Sequence, residues 1–258
     1  MTSKKHLKMY DGPSTVRPDK RVMLRVMNLK TPSKNRKTGP MVQVGGILAD
    51  VHPVEATKTG CDEALCGGCR LRPKLHAEDK AKGIEVSKYP CYVKVRYKQA
   101  QRQAGLNQPT TYEEGLEALR GRDVRFGEYS NMSSFPRERV EPMFYAVSES
   151  GGNHTCYEHE WRKPENQWLA KWSMASVHSA EERAEAKALG WRTFRIGESK
   201  LPGETLCPYE TPKKVQCIKC KMCSGNSHKM TAGIVAPVHG TNYKVTNYNK
   251  MRESLRII

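Results

Sequence analysis

Eight of the nine cysteines fall into two groups whose spacing suits metal–thiolate chemistry. The first is Cys61, Cys66 and Cys69 with Cys91 downstream, C-x4-C-x2-C-x21-C. The second is Cys207, Cys217, Cys220 and Cys223, C-x9-C-x2-C-x2-C. Two cysteines separated by two residues can turn both sulfurs toward one ion, and the Gly67-Gly68 pair lets the backbone wrap so that its N–H groups face the thiolates. Four thiolates gathered without a cation repel one another. Arg70 and Arg72 in the first group, and Lys213, Lys214, Lys219 and Lys221 in the second, supply nearby positive charge. The ninth cysteine, Cys156, stands alone in a strand-like stretch and reads as a buried thiol.

The metal is either an iron–sulfur cluster or zinc. Structural zinc usually takes two well-separated C-x2-C knuckles, a form that neither group has. The Cys217, Cys220, Cys223 run with the remote Cys207-Pro208 resembles the ligand run and Cys-Pro of bacterial ferredoxins, in reversed order. The first group resembles the C-x4-C-x2-C plus distant Cys of plant-type ferredoxins.

These loops need a scaffold, and residues 41–240 alternate between strand and helix patterns. "MVQVGGILADV" reads as a strand, "KYPCYVKVRYK" (88–98) as another, and "TTYEEGLEALRG" as a short capped helix. "DVRFGEY", "NHTCYEHEW", "SMASVHS" and "WRTFRIG" then read as strands, interleaved with helices at "RERVEPMFYAVSES", "PENQWLAKW" and "SAEERAEAKALG". This order predicts an α/β protein with a mainly parallel sheet, of which a partial or irregular TIM-like barrel is one form, bearing cysteine-rich metal-binding loops. In such sheets reactive groups gather where strands end. Here those ends carry Arg125, Glu128, Tyr157, His159, Trp161, Ser176, His178, Arg195 and His239. From this rim His159 and His178 are candidate acid–base residues, and Arg125 and Arg195 candidate holders of an anionic substrate.

The formal net charge is +17, which favours a polyanionic partner, DNA or RNA. Residues 1–40 hold eleven Lys or Arg against two Asp, densest in "KTPSKNRKTGP" (30–40), and read as a basic flexible arm or extended strand ahead of a single α/β metal-binding domain over 41–258. Tyr89, Tyr92 and Tyr97 among Lys94, Arg96 and Lys98 suggest a strand that stacks on bases and contacts phosphates. Only 37% of residues are apolar, so the core is lean and bound metal is an expected source of stability. No run approaches the ~18 apolar residues of a membrane span, and the N-terminus has no secretory signal, so a cytoplasmic protein is expected.

A strand, then a three-cysteine loop, then alternating strands and helices resembles the order in radical S-adenosylmethionine enzymes, whose loop spacing is C-x3-C-x2-C. Here one residue is added between Cys61 and Cys66, and Cys91 stands where that family leaves an open coordination position. The stretches "YEHEWRK", "MASVHSAEERAEAKALGWRTFRI", "ETLCPYE" and "CIKCKMCSG" resemble a group of largely uncharacterised bacteriophage and plasmid proteins. That likeness implies a phage-type protein of the host cytoplasm with a compact, barrel-like α/β fold and cysteine-bound metal. Three functions compete: a metal-stabilised nucleic-acid-binding protein, an iron–sulfur enzyme with a strand-end active site, and a structural or partner-binding factor held together by its metals.

Overall fold

The computed structural model describes residues 5–72, 81, 91, 93–227, 229–238, 242, 245, 246 and 248–250. Among the described residues ten strands form two five-stranded sheets of order β1-β2-β3-β4-β5 and β6-β7-β8-β10-β9. In the first sheet β1 (Leu7–Pro13), β2 (Arg21–Met27) and β3 (Val42–Leu48) are antiparallel, and β4 (Val124–Phe126) and β5 (His154–Thr155) then add in parallel. The second sheet is parallel throughout: β6 (Tyr157–Glu158), β7 (Met174–Val177), β8 (Thr193–Ile196), β10 (Gly233–Ala236) and β9 (Glu204–Leu206). Parallel pairings therefore dominate, and the fold is mixed α/β. Among the described residues neither sheet closes into a barrel.

The N-terminal segment corrects the reading of a flexible arm. β2 is the centre of a three-stranded meander and is buried from Val22 to Met27, including Arg25 at 2% exposure. Its "VMLRVM" core outweighs the charges around it, because a β2 flanked on both edges satisfies its backbone groups while hiding its apolar side chains. Residues 33–40 are likewise held in a turn, with Asn35 accepting from the amides of Lys37 and Thr38.

Two further elements differ from expectation. Of "KYPCYVKVRYK", residues 88–90 and 92, hence Tyr89 and Tyr92, lie outside the described residues. Val95–Tyr97 is a 3-10 turn that leads into the helix Lys98–Leu106, and Tyr97 is 73% exposed on it. The stretch "NHTCYEHEW" is two short strands in different sheets, with Cys156 between them. The Cys156 carbonyl accepts from Met174 N (3.0 Å) while its own amide is given to Cys223 O (3.0 Å), so the chain passes from one sheet to the other at this residue.

The main core lies between the first sheet and the helix Arg137–Ser148, where Phe144 stacks on Trp172 (5.4 Å between centroids, 3° between planes). A smaller core, Met174, Phe194, Ile234 and Ala236, includes Cys207 and Cys223. The second cysteine group is thus built onto the apolar surface of the parallel sheet, and the first onto the main core through Leu65 and Ala64. Among the described residues no helix is long and apolar enough to cross a membrane.

Candidate metal centre

Cys207 leaves β9 with its amide still bonded to Val235 O (2.8 Å), so its position is fixed by the sheet. Cys217 and Cys220 share one helical turn, Cys217–Cys220, where a spacing of three places side chains on one face. Lys221 ends that turn in the left-handed region (φ 60°), which sends Cys223 back toward the sheet. All four cysteines line one cavity with Thr155, Tyr157, Val215 and Ile234. Each also lies within electrostatic reach of the others.

Burial and the neighbouring thiols push Cys217 up to about 11 and Cys223 up to about 12. Cys220 is also raised, chiefly by burial. By themselves these groups stay protonated at neutral pH; a bound cation supplies the charge that lets them ionise. The protein already places donors for that state. The Met222 amide faces the Cys220 sulfur, the Tyr157 hydroxyl faces that of Cys223, and Lys37 and Arg125 bring positive charge to Cys217.

Arg192 braces this loop from beneath. Its guanidinium donates to Gly225 O (2.7 Å), Met222 O (3.1 Å) and Ala232 O (2.9 Å). Among the described residues it meets no carboxylate, and burial lowers its pKa while the charge of Cys223 raises it. A buried cation without a carboxylate is costly unless another anion faces it. A metal–tetrathiolate centre is such an anion, so the donor set fits a cysteine-bound metal. Among the described residues no three His, Cys, Asp or Glu side chains are drawn together tightly enough to chelate one ion, and the thiols of the second group surround a space.

The first group has a comparable arginine brace. Arg72 donates to Gly67 O (2.9 Å) and Gly60 O (2.7 Å), and it pairs with Asp62 (3.0 Å), all buried. The amide of Leu71 faces the Cys69 sulfur, and burial pushes Cys69 up to about 11. Cys66, raised well above the usual thiol range by burial, feels both Cys69 and Cys91. Cys61 lies at the opening of the loop, within electrostatic reach of Lys20. The glycine pair serves a carboxylate and not a thiolate: the Gly68 amide donates to buried Glu160, and at Gly67 (φ 52°) a Cβ would come within 2.5 Å of that carboxyl group.

The rim residues separate into three environments. His159 and His178 follow the adjacent parallel strands β6 and β7 and feel each other and Glu182. His159 Nδ1 is 2.8 Å from Asn131 Oδ1, whose amide in turn donates to the Cys66 carbonyl (3.0 Å), so this histidine is tied to the first cysteine loop. His178 Nδ1 is 2.9 Å from the Tyr248 hydroxyl, and burial lowers its pKa to about 4. Arg195 is held elsewhere by Glu204 (2.7 and 2.8 Å) and Ser199 O (2.7 Å), and Arg125 lies on the side of Cys217. His239 lies outside the described residues. Arg192, Asn131 and Glu160 carry no motif, and only their position after folding reveals what they hold; Arg72, expected beside the first group's thiolates, is instead spent on Asp62 and the Gly60 and Gly67 carbonyls.

No protein-family model matches this chain, and neither the curated proteins nor the solved structures contain a match.

Proposed function

We propose that this chain is a metal-bound, nucleic-acid-associated protein of the cytoplasm, the host's if it is phage-borne. Its central metal site is Cys207, Cys217, Cys220 and Cys223, holding an iron–sulfur cluster or zinc. Cys61, Cys66, Cys69 and Cys91 form the second. The observation that carries this reading is the convergence of four cysteines on one cavity beside a basic surface. Bound metal would crosslink segments that the chain alone joins weakly, and a cluster would add electron transfer. The basic surface would contact DNA or RNA phosphates.

Anaerobic purification followed by iron, zinc and sulfide analysis tests the metal, and a salt titration of oligonucleotide binding tests the partner. Stoichiometric metal and a linear fall of log K with log salt are expected. Metal-free protein that melts normally, or no binding at low salt, overturns the corresponding half.

A second reading, an iron–sulfur enzyme with a strand-end active site of the radical-S-adenosylmethionine-like kind on an open sheet, has one favourable observation. His159 and His178 neighbour each other at adjacent parallel strand ends, and His159 is linked through Asn131 to the first cysteine loop. There one histidine would move a proton while the cluster supplied the electron.

A further inference from the structure

We infer that metal at Cys207, Cys217, Cys220 and Cys223 controls the polynucleotide affinity of the protein by holding the basic segment 30–40 against the cysteine loop. This rests on the reading just given and adds a regulation to it. Segment 30–40 and the cysteine loop are far apart in sequence yet are bonded residue to residue. The Cys217 amide donates to Lys37 O (2.9 Å), the Ile218 amide to Thr38 O (3.2 Å), and the Gln216 side chain to Arg36 O (3.0 Å). Lys37 reaches across to Glu210 (2.8 Å), and it meets Lys214 over the Tyr209 ring, at 5.8 and 5.5 Å from its centroid.

One metal ligand, Cys217, is therefore also an anchor for the basic segment. The face so assembled exposes Lys30, Lys34 and Arg36 from one strip and Lys213, Lys214 and Lys219 from the other. Neither strip has a long element of its own: residues 208–223 contain a three-residue 3-10 turn and a single helical turn. Once the sulfurs lose their common ion, Cys217 is held relative to Cys207 by the Val215 amide on Pro208 O (3.2 Å) within the loop and by the bonds to the basic segment. The two strips then separate, and fewer cations meet one phosphate backbone at once.

The sign of the effect separates this mechanism from simple electrostatics. A metal–thiolate centre carries negative charge, so charge alone makes polyanion binding stronger after the metal is removed. The assembled face makes it weaker.

The test uses a fluorescent single-stranded oligonucleotide of about 20 nucleotides, longer than the usual single-strand site, in DNA and RNA forms. Binding is measured for the metal-loaded protein, for protein stripped with a chelator, and for Gly39→Ala. Gly39 has φ 74°, and its added Cβ would come within 2.9 Å of the Gln216 side chain and 3.0 Å of Ile218, so this variant pushes the strips apart without touching a sulfur. Both stripped protein and Gly39→Ala are expected to bind roughly tenfold more weakly, with a shallower salt slope, while Gly39→Ala keeps its metal. If the stripped protein loses its circular-dichroism signal, affinity is read instead against partial metal loading, where it must rise with occupancy, and Gly39→Ala tests the contact between the strips. Unchanged or tighter binding in both overturns the coupling but leaves the nucleic-acid reading intact. No binding by the loaded wild type at low salt removes that reading and the coupling together.

Discussion

The two cysteine loops are braced in the same way but balanced differently. In each, a buried arginine donates to backbone carbonyls that the loop cannot satisfy alone: Arg72 to Gly60 and Gly67, Arg192 to Met222, Gly225 and Ala232. Arg72 is also paired with Asp62, so the first loop is neutralised internally. Arg192 faces Cys223 and, among the described residues, no carboxylate. The difference teaches that the first loop can keep its shape through protein contacts, whereas the second leaves its charge balance to whatever its thiols bind.

The strongest challenge to this contrast is removal of a sulfur from each loop. Cys217→Ser is expected to lose one metal centre and to destabilise the protein by several kcal/mol, because binding energy at such sites is folding energy. Cys66→Ser should cost less in thermal melting, and metal analysis with melts of both variants checks the order. Equal losses would break the comparison.

Breaking the internal pair comes next. Arg72→Met leaves Asp62 buried without its partner and is expected to cost about 3–5 kcal/mol, a penalty that Asp62→Asn in the same chain partly relieves. Arg192→Met should cost about 1–3 kcal/mol through its carbonyl bonds, with the larger value in metal-loaded protein. Denaturant melts with and without chelator distinguish the two arginines, and an Arg192→Met effect indifferent to metal counts against the charge-balance argument.

Acid probes the sheet junction that carries the second loop. His154, two residues before Cys156, is buried with Nε2 2.8 Å from Trp172 O, and burial lowers its pKa to about 4. The unfolded chain takes up this proton near the ordinary histidine value, so stability falls as pH drops from about 6.5 to 4, by on the order of 3 kcal/mol. A pH series of melts on wild type and His154→Gln should show the slope shrink in the variant. The smallest effect is at Tyr157→Phe, which removes the hydroxyl facing the Cys223 sulfur and is expected to cost about 1 kcal/mol, visible as easier metal loss to chelator. The equivalent loss at Tyr129, near the first loop, should leave the second centre's metal retention unchanged.

Several parts of this arrangement were legible in the residues. The helices at 112–119, 137–148 and 180–188 and the strands β3, β4, β7 and β8 follow from capping residues and apolar periodicity, which act over a few positions. The cysteine spacing marked the second loop, since three of its members are local. Charge counting put a flexible arm ahead of the extended strands found at β1 and β2, because an average over forty residues outweighed "VMLRVM". The split at Cys156 was invisible because continuous extended backbone looks the same whether it stays in one sheet or changes sheets.

By itself the sequence determined the mixed α/β alternation, the local turns that present Cys66 and Cys69 or Cys217 and Cys220, and the excess of positive charge. Only the tertiary structure decided that Arg192 braces the second cysteine loop, that His159 and His178 neighbour each other while Arg195 is spent on Glu204, and that the basic segment rests on that loop. The reason is one of range. Propensity, capping and knuckle spacing act within a turn or two, but a cavity, a buried ion pair or a docked segment requires chain-distant groups to lose water together, and sheet pairing chooses which ones meet.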